Sequence, residues 1–127
     1  MSKGRILVID DEDIILRSCY RVLSPEGYDV KTATSGVEGL SMLENKPFDI
    51  IMIDIMMPDM SGIELLMQIK GKCPESEVIM MTGYTDETLH HTVANAIELG
   101  AFDHVEKPFT PDSILLLIQK ALDKKFR

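Results

Sequence analysis

Short apolar runs alternate along the whole chain with segments of helical periodicity, and this alternation restricts the fold more than any other feature. Two runs, Ile6-Leu7-Val8-Ile9 and Ile50-Ile51-Met52-Ile53, are entirely apolar, as expected of central strands that are covered on both faces. The same signal predicts five strands: Arg5–Asp10, Tyr28–Ala33, Asp49–Asp54, Glu77–Thr82 and Phe102–Glu106.

Amphipathic segments follow each of these runs and are predicted to be helices. The second segment is expected to face the sheet through Val37, Leu40 and Leu43. Ser61 is a suitable N-cap for the third helix, and Gly100 suits the position just after the fourth. The fifth helix is expected to begin after Thr110, which is followed by a proline.

Strict alternation of strands and helices with short connections predicts an α/β fold with a parallel sheet, right-handed crossovers and helices on both faces. Five strands favour the flavodoxin-like order 2-1-3-4-5, because the chain of 127 residues is far too short for an eight-stranded barrel. A content of 45% hydrophobic and 27% charged residues is typical of a globular protein. We therefore expect a single domain over residues 1–127.

Polar residues stand where several of the predicted strands end. Asp10 and Asp11 follow the first strand, Asp54 ends the third, Thr82 ends the fourth and Lys107 follows the fifth. Parallel strands end at one edge of the sheet, so these side chains are predicted to converge. Asp10 and Asp11 alone would also suit a turn and helix cap, but Asp54 follows four apolar residues and a buried carboxylate is costly unless it is paired or bound to metal.

Three converging carboxylates favour a small, hard cation, and Mg²⁺ is the predicted cofactor because it accepts few protein oxygens and keeps positions for water or phosphate. Beside such an ion, Asp54 could act as a nucleophile toward phosphorus. Lys107 would supply positive charge and Thr82 a hydroxyl donor to the phosphoryl oxygens. The three histidines do not join the acids by spacing and are assigned no metal.

The formal net charge of −8 argues against direct binding of nucleic acid. The longest apolar stretch is interrupted by Asp54 and ended by Pro58, so no membrane span or signal peptide is predicted. Cys19 and Cys73 lack metal-ligand spacing and are expected to be reduced thiols of a cytoplasmic protein.

Taken together, the motifs resemble those of the response-regulator receiver domains (CheY-like) of two-component signalling. The resemblance covers essentially the whole chain and rests on four motifs in order at the predicted strand ends: Asp10-Asp11, Asp54 with Met57-Pro58-Asp59-Met60-Ser61-Gly62, Met81-Thr82-Gly83, and Lys107-Pro108-Phe109. It implies a signalling switch that accepts a phosphoryl group on Asp54 from a histidine kinase or phosphotransfer protein and then dephosphorylates itself.

The resemblance also implies roles for individual residues. Asp11 and Asp54 would bind Mg²⁺ directly, Asp10 would bind it through water, and the backbone carbonyl of Met56 would complete the protein ligands. Thr82 and Lys107 would contact the phosphoryl group.

Readout is implied to involve Thr82 and the residue three positions before the lysine, which is His104 here and an aromatic residue in many members. Tyr84 stands where the family often tunes dephosphorylation. The fourth helix, fifth strand and fifth helix are the implied surface for an output domain, a partner protein or a homodimer, and Leu115 and Leu116 widen the apolar face of the fifth helix.

Three other classes remain open at this point. A haloacid-dehalogenase-type phosphohydrolase usually has a second aspartate two residues after its nucleophile, where Met56 stands here. In a flavodoxin, an FMN phosphate would be repelled by Asp10-Asp11-Glu12 unless a metal intervened. A phosphorylation-independent interaction domain would not need the full acidic set. The chain is expected to be either a stand-alone regulator or the N-terminal part of a longer one.

Overall fold

The structure is a computed structural model that describes residues 3–83 and 87–126, with side-chain surroundings for all of these except 87–90. The strands are β1 (Arg5–Ile9), β2 (Asp29–Ala33), β3 (Ile50–Asp54), β4 (Glu77–Thr82) and β5 (Asp103–Glu106). The helices are α1 (Asp13–Leu23), α2 (Gly36–Met42), α3 (Gly62–Lys72), α4 (Glu87–Glu98) and α5 (Pro111–Lys125), with a short 3-10 turn at Ser24–Glu26. The predicted strands are confirmed to within one residue at each end.

The five strands form one parallel sheet in the order β2-β1-β3-β4-β5, which confirms the predicted topology. The registers pair Ile9 with both Ala33 and Ile53, and Asp54 with Met81. The carboxyl ends of β1, β3 and β4 therefore lie side by side. This alignment brings the residues that follow these strands to one edge of the sheet.

Alternate residues of the central strands supply two separate cores, one on each face of the sheet. Leu7, Ile9, Ile51 and Ile53 pack in the core that α2, α3 and α4 cover. Ile6, Val8, Ile50 and Met52 pack in the core that α1 and α5 cover. Every residue of β3 and β4 is buried, which is why these runs have almost no polar alternation.

Helix α2 meets the sheet through glycines, and the predicted inward position of Val37 is wrong. Val37 is 62% exposed, whereas Gly36 and Gly39 are buried. A Cβ atom at position 39 would overlap the side chain of Ile9, which is fully buried. The close approach of the backbone thus replaces the aliphatic contact that the sequence spacing predicts, while Leu40 and Leu43 do pack against the core.

The predicted helix caps are confirmed. Ser61 Oγ accepts a hydrogen bond from the backbone N–H of Glu64 at 3.2 Å, and Thr110 Oγ1 accepts one from Ser113 at 3.1 Å. Gly100 has a φ of 111°, a conformation that favours glycine at a helix end.

Helix α3 begins directly against the end of β3. The N–H of Gly62 donates to the carbonyl of Ile55 at 2.8 Å. A Cβ atom at position 62 would lie 2.6 Å from both the Asp54 carbonyl oxygen and the Ile55 Cα atom. Both are backbone atoms, so α3 cannot make this approach with any residue larger than glycine.

We expect Gly62→Ala to lower the free energy of unfolding by about 1 to 3 kcal/mol, because the added methyl group overpacks against backbone. Gly71→Ala in the same helix is the control: nothing lies within 4 Å of its added Cβ, so alanine should stabilise α3 by up to about 1 kcal/mol. Urea denaturation measures both. Equal effects of the two substitutions would contradict the proposed close contact.

Candidate functional site: an acidic pocket at the carboxyl edge of the sheet

Asp10, Asp54 and Lys107 come together at the carboxyl ends of β1, β3 and β5. Lys107 Nζ lies 2.7 Å from Asp10 Oδ2 and 3.4 Å from Asp54 Oδ2. Asp10 is completely buried and Asp54 is 6% exposed, while the Lys107 side chain is 11% exposed. The predicted convergence of these three residues is therefore present in the fold.

Glu12 joins this group, although the sequence suggested no site role for it. Its Oε1 atom lies 3.3 Å from Lys107 Nζ, and its backbone N–H donates to Asp10 Oδ1 at 2.9 Å. Asp10, Glu12 and Asp54 each offer a carboxylate oxygen within 4.8 Å of the others. The signal for Glu12 was its place in an unbroken acidic run, which does not reveal which carboxylate turns inward.

Asp11 and Met56 lie at the rim of the pocket. The Asp11 side chain is exposed and is not one of the three clustered carboxylates. Met56 is 73% exposed, and its backbone N–H donates to Asp54 Oδ1 at 3.3 Å. Their assignment as metal ligands stays a prediction.

Thr82 lies at the same edge, on the neighbouring strand. Its side chain is buried, at 1% exposure, and its hydroxyl donates to the Val105 carbonyl at a long 3.4 Å. The backbone N–H of Lys107 donates to the Thr82 carbonyl at 2.7 Å. This hydrogen bond extends the pairing of β4 with β5 and fixes the backbone position of Lys107.

His104 is on β5 beside Val105, its side chain 37% exposed, with Nδ1 3.4 Å from Asp103 Oδ1. Tyr84 lies outside the described residues, so its tuning role stays a prediction.

The charged groups of the pocket shift one another's pKa values. Burial, and then the negative charge of Asp10, raise the pKa of Asp54 from 3.8 to about 6 against the opposing effect of Lys107. Burial lowers the pKa of Lys107, but its contacts with Asp10, Asp54 and Glu12 outweigh this and leave that pKa above its usual value. Lys107 is therefore charged at neutral pH.

The donor set suits Mg²⁺. Among the described residues, three clustered carboxylates face one ammonium group, so this part of the pocket keeps an excess of negative charge once Asp54 ionises. All the clustered ligand atoms are hard carboxylate oxygens. Magnesium prefers such oxygen ligands, whereas zinc sites usually contain histidine or cysteine.

The fold and this pocket define a receiver domain, and the chain belongs to the response regulator receiver domain family, whose sequence profile matches residues 6–119. Members of this family are phosphorylation-dependent switches of two-component systems and bind Mg²⁺ at an acidic pocket, formed here by Asp10, Glu12 and Asp54.

Individual relatives agree with this assignment. The response regulator SaeR of Staphylococcus aureus (strain USA300) is 38% identical over 119 residues, which are 94% of this chain and 50% of that protein. The chain thus spans half the length of the curated relatives that it matches. A CheY-like receiver domain protein from Methanospirillum hungatei JF-1 superposes with a TM-score of 0.89 at 36% identity, over 98% of this chain and 97% of that one.

A longer protein contains the same fold. The structure of NtrX from Brucella abortus in complex with ADP superposes with a TM-score of 0.90 at 32% identity, over 98% of this chain and 28% of that one.

Among the helices that the structure describes, none has the length and hydropathy that a bilayer span requires.

We expect Asp54→Asn to stabilise the metal-free protein at about pH 7.5 by on the order of 2 kcal/mol, and to have much less effect at about pH 4. A carboxyl group whose pKa is raised on folding contributes its stability below its unfolded pKa of 3.8 and loses it as the pH rises through about 6. Asparagine removes this loss. Urea denaturation in the presence of EDTA at the two pH values gives the comparison, and a benefit that does not grow with pH would refute it.

Proposed function

We propose that this chain is a switch in which Asp54 accepts a phosphoryl group and the resulting change is read at the surface of α4, β5 and α5. The observation that carries the proposal is the position of Asp54, buried beside Asp10 with the Lys107 ammonium 3.4 Å away. A carboxylate in this setting is poorly neutralised, and its ionised form at neutral pH is an available nucleophile.

In the proposed reaction an Asp54 oxygen attacks phosphorus. The new bond joins this oxygen to phosphorus, and the product is an acyl phosphate. The bond from phosphorus to the donor nitrogen of a phosphohistidine breaks, and the donor imidazole leaves. Magnesium, when bound, supplies positive charge that offsets repulsion between the carboxylate and the incoming group. Its proposed direct protein ligands are Asp11, Asp54 and the Met56 carbonyl, and Asp10 would bind it through water. Glu12 is a further carboxylate in the cluster that it forms with Asp10 and Asp54.

Lys107 and Thr82 are the proposed partners of the captured group. The Lys107 ammonium already lies between the carboxylates of Asp10 and Asp54, so a small movement would bring it to a phosphoryl oxygen on Asp54. The Thr82 hydroxyl would give up a long hydrogen bond to the Val105 carbonyl. Both donors would then interact with the negative charge of the phosphoryl oxygens, which is absent before phosphorylation.

This exchange of partners by Thr82 is the proposed start of the switch. Val105 lies next to His104 on β5, so a rearrangement at the Val105 carbonyl acts on the strand that holds the imidazole. His104 is partly exposed, and its Nδ1 atom lies 3.4 Å from Asp103 Oδ1. A change in its ring position would alter the β5 surface.

The proposed partners are a histidine kinase or phosphotransfer protein as donor, and an output domain, partner protein or second copy as receiver of the signal. Exposed aliphatic side chains on and after α4 and on α5 supply apolar area for such contacts: Ile97 at 42%, Leu99 at 41% and Leu116 at 57% exposure. A cytoplasmic setting belongs to the same proposal, and the free thiols of Cys19 and Cys73 are compatible with it.

We expect the protein to gain the mass of one phosphoryl group on Asp54 when it is incubated with Mg²⁺ and acetyl phosphate, because an ionised carboxylate attacks phosphorus once its charge is offset. Mass spectrometry of the intact protein and of its peptides measures this. Asp54→Asn, which nearly preserves the shape of the side chain, should gain nothing. Modification of both proteins to the same extent would disprove the role of Asp54.

The proposed switch predicts that the imidazole NMR signals of His104 shift when beryllofluoride, a phosphoryl mimic, is added with Mg²⁺. Thr82→Ala should bind beryllofluoride but lose the His104 shift, because the hydroxyl that changes partners is gone. Thr82→Ser keeps the hydroxyl and should keep the shift. An unchanged shift in Thr82→Ala would separate His104 from the threonine.

A further inference from the structure

The segment 55–61, which connects β3 to α3, is bound to the first turn of α2 through Asp59. Asp59 Oδ1 accepts a hydrogen bond from the Gly36 N–H at 3.2 Å, and Oδ2 accepts one from the Val37 N–H at 3.1 Å. Both amides belong to the start of α2, where backbone N–H groups have no partner within the helix. The two carboxylate oxygens therefore serve a helix that lies more than 20 positions earlier in the chain.

The next residue of the segment strengthens this contact. A Cβ atom at Gly36 would lie 2.6 Å from Met60 Cγ and 2.8 Å from Met60 Sδ, so the Met60 side chain lies directly on the helix backbone. The hydrogen bonds from Val37 and Gly36 lower the pKa of Asp59, which keeps it ionised at neutral pH. The segment is thus held by charge-assisted hydrogen bonds and by packing at one place.

The same segment reaches the acidic pocket at its other end. The Met56 N–H donates to Asp54 Oδ1 at 3.3 Å, and the Ile55 carbonyl accepts from Gly62 at 2.8 Å. Between these points and Asp59 there are only a few residues, one of which is Pro58. A constraint at Asp59 therefore limits where the backbone of Met56 can lie.

We propose that Asp59 is a positioning residue for the phosphoryl-accepting site: by holding the segment 55–61 to α2, it keeps the Met56 backbone beside Asp54. No hydrogen bond or ion pair joins Asp59 to Asp54 or Lys107, so it acts through the backbone. This inference rests on the proposed function of Asp54, and it adds that the affinity for Mg²⁺ and the rate of phosphoryl capture depend on an exposed carboxylate outside the pocket.

The test compares Asp59→Ala with Glu38→Ala. Glu38 is a matched control because its carboxylate also accepts two hydrogen bonds beside the start of α2, from the Thr34 N–H at 3.2 Å and the Thr34 hydroxyl at 3.3 Å. Its removal changes the net charge equally, but among the described residues no hydrogen bond or ion pair joins the Glu38 carboxylate to the segment 55–61. Asp59→Asn is the conservative variant, since it keeps one acceptor oxygen for one of the two amides.

Three quantities are measured: the Met56 amide chemical shift in metal-free protein, the dissociation constant for Mg²⁺, and the rate of phosphorylation by acetyl phosphate. Asp59→Ala should move the Met56 amide signal and raise the dissociation constant about tenfold, as loss of a supporting partner does at other metal sites. Asp59→Asn should give an intermediate value. Glu38→Ala should leave the constant within about twofold of the wild type.

If Asp59→Ala and Glu38→Ala lower stability alike and neither alters the Met56 signal or Mg²⁺ binding, Asp59 is only a helix cap and the inference is wrong. Should Asp59→Ala fail to fold, the intermediate effect expected of Asp59→Asn decides in its place. Failure of the wild type to be phosphorylated would instead overturn the proposed function, while the Met56 signal and the Mg²⁺ titration would still judge the role of Asp59.

Discussion

The ion pair between Lys107 and Asp10 is the interaction on which the acidic edge of the sheet depends. Asp10 is completely buried, and its Oδ2 atom is 2.7 Å from the ammonium group. Without that positive charge, the buried carboxylates of Asp10 and Asp54 would repel each other and the nearby Glu12. Such repulsion between groups shielded from water is strongly destabilising. The same ammonium group still leaves an excess of negative charge, so the pocket can hold a cation and then respond to a phosphoryl group.

The segment after Asp54 combines several structural roles in a few residues. Gly62 lets α3 begin against the end of β3, Ser61 caps that helix, and Asp59 reaches across to α2. Each of these contacts restrains the backbone on which Met56 lies. Contacts that hold this backbone in place beside a charged pocket reduce the reorganisation that metal binding and phosphoryl capture would otherwise require.

Much of the fold and of the pocket could be predicted from the pattern of residues alone. Buried parallel strands need continuous apolar runs, and their alternation with helices predicts a parallel sheet with right-handed crossovers. The order 2-1-3-4-5 rested in addition on likeness to flavodoxin-like folds. Once the strand ends are known, Asp10, Asp54, Thr82 and Lys107 must lie at one edge. The caps at Ser61 and Thr110 were equally predictable, because a capping hydroxyl acts within its own turn of helix.

Contacts between distant segments could not be predicted in this way. Val37 has the spacing of a core residue, yet α2 turns its glycines to the sheet because Ile9 leaves no space for a side chain there. Which acid of the run at 11–13 turns toward Lys107 depends on the turn after β1, and that acid is Glu12. The sequence by itself determined the strands, their parallel arrangement and the charged groups at the edge of the sheet, since these follow from local periodicity and from the alternation of strands with helices. Only the tertiary structure decided that Asp59 holds α2, because hydrogen bonds across more than 20 positions leave no periodic signal.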